Sequence, residues 1–203
     1  MRLNQLKMDW KVVTTIVVST LLLVLHHYRR PWDYWPANSL FYWLVIPLVF
    51  IMIVYRERPS EYGFRLGDWK AGLALTAAAW AGITLMMFVL ARTDVLQSYY
   101  GSGNDSLGTL ILDKGLDLLG WEFLFRGFLL FALYRVCGPY AIILQAVPFT
   151  IAHWDKPELE TLSCIFGGSA FGYVAWRTRS FLYPFLIHWF LSCVTVVFAG
   201  GVA

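Results

Sequence analysis

Residues 71–91 read AGLALTAAAWAGITLMMFVLA, a run without one charged side chain. A helix of about 20 such residues, rising 1.5 Å each, crosses a hydrocarbon core about 30 Å thick. The run is bounded by polar connectors, Arg56–Asp68 with Pro59, Gly63 and Gly67, and Arg92–Ser106 with Gly101, Gly103, Asn104 and Asp105. Those are loop formers. Further apolar runs lie outward on both sides: Val12–Leu25, Ser39–Tyr55, Leu118–Tyr134, Tyr140–Ala152, Leu159–Trp176 and Phe181–Ala199. From Leu107 an amphipathic stretch carrying Asp113, Lys114 and Asp117 leads into the fourth run, so one long helix is expected there. Basic residues precede Val12–Leu25, but bulky His26-His27-Tyr28-Arg29-Arg30 follows it instead of a small-residue cleavage site, and the run reads as a retained span.

The expectation is an all-α, polytopic transmembrane bundle of about seven spans, forming one integral membrane domain over residues 1–203. Composition agrees. Of 203 residues 59% are hydrophobic and 14% charged, against roughly a quarter charged in soluble domains. That excludes disorder, collagen, a coiled coil and a disulfide-stapled secreted scaffold. A net charge of +3, spread along the chain, gives nucleic acid nothing to bind. The bilayer itself is the expected partner. Cys137, Cys164 and Cys193 form no CxxC pair and read as small apolar packing residues.

Basic loop residues set orientation. Taking alternate segments, one side holds Arg2, Lys7, Lys11, Arg56, Arg58, Arg65, Lys70, Arg135, Arg177 and Arg179, and the other Arg29, Arg30, Arg92, Lys114 and Lys156. The amino terminus is therefore expected in the cytoplasm, in a bacterial inner membrane. Asn104-Asp105-Ser106 fits a glycosylation acceptor, which matters only in a eukaryotic secretory membrane. Gly168-x-x-x-Gly172 places two bare backbone positions on one helix face and predicts close helix packing.

Four ionisable groups stand in apolar surroundings: Glu122, Arg126, His153 and His188. Each costs about 2.5–3.5 kcal/mol at a bilayer centre on insertion scales. Glu122 and Arg126 are four apart and share a helix face. Taken alone, that pair needs no role beyond mutual neutralisation, and His153, at the end of a run, none beyond an interfacial hydrogen bond. His188 sits mid-run with Ser192 one turn on. The arrangement that costs least brings all of them to one interior pocket. A carboxylate and imidazoles there can activate water and stabilise the oxyanion of an amide under attack.

Glu122-x-x-x-Arg126-Gly127, Phe149-x-x-x-His153 and His188-x-x-x-Ser192, in this order, resemble the three motifs of the CAAX protease and bacteriocin-processing (CPBP, or Abi) family of intramembrane proteases. The resemblance covers residues 107–198. It implies a glutamate-dependent endopeptidase that cleaves a peptide or a lipid-modified protein tail entering from the membrane. In that family a first-motif glutamate and the second-motif histidine activate water, and the third-motif histidine with a following Asn or Asp holds the oxyanion. Carried over, the catalytic set is Glu122, His153, His188, Arg126 and Ser192, with no metal and no cofactor. Two positions depart from the pattern. The first motif usually opens with two acids, and Trp121 stands in the first place; Ser192 stands for Asn or Asp. Two alternatives remain open: a zinc-dependent protease liganded by Glu122, His153 and His188, and a non-catalytic binding, immunity or assembly protein that keeps the pocket.

Overall fold

The computed structural model describes residues 9–103 and 106–202. Arg2, Lys7 and the Asn104-Asp105 part of the acceptor tripeptide lie outside them. The described chain is helical throughout its length: α1 (Trp10–Tyr28), α2 (Trp35–Val54), α3 (Trp69–Leu90), a short α4 (Asp94–Tyr100), a long α5 (residues 107–137), α6 (residues 141–151), α7 (Glu158–Thr178) and α8 (Leu182–Ala199). All seven apolar runs are helices. Trp10–Tyr28, Trp35–Val54, Trp69–Leu90, the stretch Leu107–Ile151 and Leu182–Ala199 are long and apolar enough to cross a membrane. The protein is an integral membrane protein.

Local chemistry starts and stops these helices. The side chains of Asp9, Asp68 and Ser106 accept hydrogen bonds from first-turn amides of α1, α3 and α5, satisfying donors that a helix leaves unpaired. Pro36 opens α2. At Gly138 the chain takes φ +55°, and Pro139 follows, so α5 ends and α6 departs in a new direction. Residues 123–129 of α5 and two segments of α2 adopt the wider π geometry, and the first of these begins directly after Glu122.

Two expectations change. The polar stretch Arg92–Ser106 contains a helix, α4, because Val95, Leu96, Tyr99 and Tyr100 recur at helical spacing and Asp94 complements the helix start. The fifth run is too short to be a full span: the 11 residues of α6 extend about 16 Å at 1.5 Å per residue. Turns over residues 152–157 carry the chain on to α7.

Glycine sets how closely the helices meet. A Cβ on Gly168 would lie 2.9 Å from the Phe149 ring, and one on Gly172 2.6 Å from Gln145 Nε2. The paired glycines thus seat α7 on α6, as their spacing predicts. A Cβ on Gly120 would stand 2.6 Å from the Ser39 carbonyl oxygen, so α2 lies against α5 only because residue 120 has no side chain.

One end of the bundle is clamped by charge. Lys11 of α1 and Arg135 of α5 both bind Glu57 Oε1, at 2.7 and 2.8 Å, and Tyr62 donates to Oε2 at 2.6 Å. Arg177 pairs with Asp68 at 2.8 Å. Arg135, then Lys11 and Tyr62, hold the Glu57 carboxyl down to about 2, against partial burial that pushes it up. A lowered carboxyl stabilises the fold fully above its unfolded value, 4.5, and loses that contribution as pH falls through about 2. In detergent-solubilised protein, thermal midpoints should therefore fall from pH 4.5 downward more steeply in wild type than in Glu57→Gln; parallel profiles would show that the clamp contributes nothing.

Candidate active site

The site is assembled from α5, α6, α7 and α8. Glu122 and Arg126 are both fully buried. Arg126 Nη1 donates to Glu122 Oε1 at 3.1 Å, and His188 Nδ1 donates to the same oxygen at 2.6 Å. Arg126 Nη2 reaches the Gly168 carbonyl at 3.4 Å. Its guanidinium lies 3.9 Å from the Phe149 ring centre and 5.2 Å from that of Phe171. A planar cation between aromatic faces, with a carboxylate at its edge, is an arrangement that a buried arginine tolerates. Gln145, also fully buried, donates at 2.8 Å to both the Ile142 and Gly168 carbonyls.

His153 follows α6 and is 9% exposed. Its Nδ1 lies 2.7 Å from the Phe149 carbonyl oxygen. A carbonyl only accepts, so Nδ1 carries the proton and the neutral ring keeps its lone pair on Nε2. At His188 the partner is a carboxylate, beside which the second ring nitrogen can also carry a proton. Nδ1 faces the Glu122 carboxylate and donates, and Nε2 is left for other work. The two imidazoles are nearly parallel, with ring centres 6.4 Å apart.

Both histidines line a cavity of about 300 Å³, together with Trp121, Asp117, Ser192 and Lys156. Five of the seven motif positions that carry the resemblance are thereby joined in one cluster, since Phe149 packs on His153, His188 and Arg126 and Glu122 bonds to the last two. Glu122 is not in the cavity wall. It stands behind His188, and its Oε2 has no protein partner. His153 instead meets Trp121, whose indole ring stands edge-on to it at 5.3 Å. The buried Trp121 Nε1 and Arg126 Nε likewise lack protein partners. Among the described residues no group of three His, Cys, Asp or Glu side chains is placed to hold a metal ion.

Residues 116–194 match the family model described as the type II CAAX prenyl endopeptidase, Rce1-like. Over this stretch, less than half of the chain, the sequence is similar to that family. It corresponds to the CPBP (Abi) family that the three motifs resemble, and all three motifs lie inside the match. No curated protein and no solved structure matches the chain. In the Rce1-like region two residues escaped the sequence reading. Gln145 carried a signal, being the one amide in the apolar run Tyr140–Ala152. Asp117 carried almost none, because its place among leucines is that of an ordinary interfacial charge.

Removing one partner of a buried ion pair leaves the other uncompensated. Arg126→Met should lower unfolding stability by about 3–5 kcal/mol, and adding Glu122→Gln should recover part of that loss. Denaturant unfolding in detergent checks both; an Arg126→Met variant as stable as wild type would show that the pair contributes nothing to stability.

Proposed function

We propose that the protein is an intramembrane endopeptidase that hydrolyses an amide bond within the cavity, without a metal. The observation that carries this reading is the anchoring of both imidazoles through Nδ1, His153 by a carbonyl and His188 by Glu122, with both rings lining one cavity. His153 Nε2 takes a proton from water. The resulting hydroxide attacks the scissile carbonyl. His188, stabilised as imidazolium by the Glu122 carboxylate, donates from Nε2 to the carbonyl oxygen, and Ser192 Oγ, one turn away, can donate beside it. Glu122, held by Arg126, is in this scheme a positioning residue for His188. The family description, a CAAX prenyl endopeptidase, supports a lipid-modified protein tail as substrate class.

The test uses full-length protein in nanodiscs and an internally quenched, farnesylated peptide ending in a CAAX sequence. His153→Ala and His188→Ala should each lower kcat by about 10²–10⁴, the usual worth of a positioned acid or base. Glu122→Gln should lower kcat with little change in KM, and phenanthroline should leave the wild-type rate unchanged. Inhibition by phenanthroline that is reversed by zinc would establish the metal-dependent alternative. Trp121 against His153 favours the third reading, a binding protein without catalysis; identical rates for wild type and the histidine variants would establish it.

The described basic residues of the larger group, Lys11, Arg135, Arg177 and Arg179 among them, gather at the Glu57–Asp68 end of the bundle. Lys114 and Lys156 line the cavity. The basic-residue bias supports a cavity mouth facing away from the cytoplasm. A membrane-impermeant maleimide added outside should label Lys156→Cys; labelling from the cytoplasmic side alone would reverse the orientation.

A further inference from the structure

Trp121 fills the place of the acid that would face His153, and Glu122 is sealed behind His188. The cavity nevertheless contains a carboxylate on the same helix. Asp117 lies one turn before Trp121, on the same face of α5, and lines the cavity with His153, His188 and Ser192. Its position is built by neighbours. Trp35 Nε1 donates to Asp117 Oδ1 at 3.1 Å, and Ser39 Oγ donates to the same oxygen. Ser39 has no second proton to give, so His26 Nε2, at 3.2 Å, donates to Ser39. The relay is possible because Gly120 lets the Ser39 backbone reach α5. Both bonds to Asp117 fall on Oδ1, leaving Oδ2 free of them.

We propose that Asp117 is the water-orienting carboxylate of this peptidase, doing from one turn earlier the work that Trp121, having no acid, cannot do. The inference rests on the endopeptidase reading above. An attacking water has two hydrogens and needs two acceptors to aim a lone pair at the carbonyl carbon. His153 Nε2 accepts one hydrogen and Asp117 Oδ2 the other. In the step the O–H bond toward His153 breaks and its proton passes to Nε2, while the water oxygen bonds to the carbonyl carbon and the carbonyl oxygen becomes the oxyanion. On collapse the C–N bond breaks, and the departing nitrogen takes the proton from Nε2. Asp117 stays ionised throughout, and its charge stabilises the transient imidazolium of His153.

The experiment compares Asp117→Asn with the double variant Asp117→Asn/Trp121→Glu, using the same nanodiscs and farnesylated peptide. Asparagine keeps an acceptor for Trp35 and Ser39, so thermal midpoints should match wild type. Asp117→Asn should lower kcat about 100-fold, with KM changed less than about threefold. The double variant should regain at least about tenfold of that loss, because glutamate at 121 restores a carboxylate beside His153. A purely structural role for Asp117 predicts no such rescue, and a double variant that keeps the thermal midpoint of Asp117→Asn yet cleaves no better overturns the proposal. So does an Asp117→Asn variant that cleaves like wild type while His153→Ala does not, an outcome that leaves the peptidase reading standing. Absence of cleavage by wild type overturns both.

Discussion

The bundle is organised around a guanidinium that has no water. Arg126 lies wholly inside the protein, where an isolated charge would be prohibitive, and everything near it answers that demand. Glu122 neutralises it from one turn away, the Gly168 carbonyl accepts from it, and Phe149 and Phe171 cover it. These partners come from three helices, so satisfying one charge forces α5, α6 and α7 together. Gly168 and Gly172 let α7 come that close. His188 then draws α8 into the same network through the Glu122 oxygen that Arg126 already uses.

That arrangement divides two jobs often assigned to one carboxylate. Glu122 is dry, shared and shielded; it fixes charge and direction. The cavity side is polar and holds His153, whose tautomer is decided by a backbone carbonyl. Low dielectric around Glu122 strengthens its hold on His188. His153, buried but lining the cavity, is placed to exchange a proton in the proposed reaction. Half of α6 serves this division. Because the helix stops at Ile151, the turn that bears His153 faces the cavity instead of lipid, and irregular backbone inside a membrane protein is tolerated where it lines such a space.

The legible part of the molecule is what a single period or spacing encodes. Apolar runs announced the helices, the interval of four announced the Glu122–Arg126 pair, and a histidine stranded between Ile187 and Trp189 announced an interior partner. What stayed hidden depends on three-dimensional register. Asp117 looks like any charge on an amphipathic helix until Trp35 and Ser39, some 80 positions away in the chain, are seen to hold it. The shortness of the run Tyr140–Ala152 was legible, but α4 was not, since a polar stretch hides a short amphipathic helix. Which way Glu122 points relative to Trp121 was likewise undecidable, because adjacent helical residues diverge by about 100° and only packing says which one faces the cavity.

Trp121 is where stability and chemistry pull apart. Its indole packs against Trp43, Phe125 and His153, contacts an acid could not make, and so it strengthens the seam between α2, α5 and α6. The same contacts take from His153 the neighbour that would help it handle a proton. In the proposed reaction another anion reaching the same water makes good that loss, and the helix repeat restricts where such an anion can sit. Positions three or four residues away share the face; 118 is leucine, 124 leucine and 125 phenylalanine. Asp117 is the remaining one, and Gly120, by admitting α2, is what holds it there.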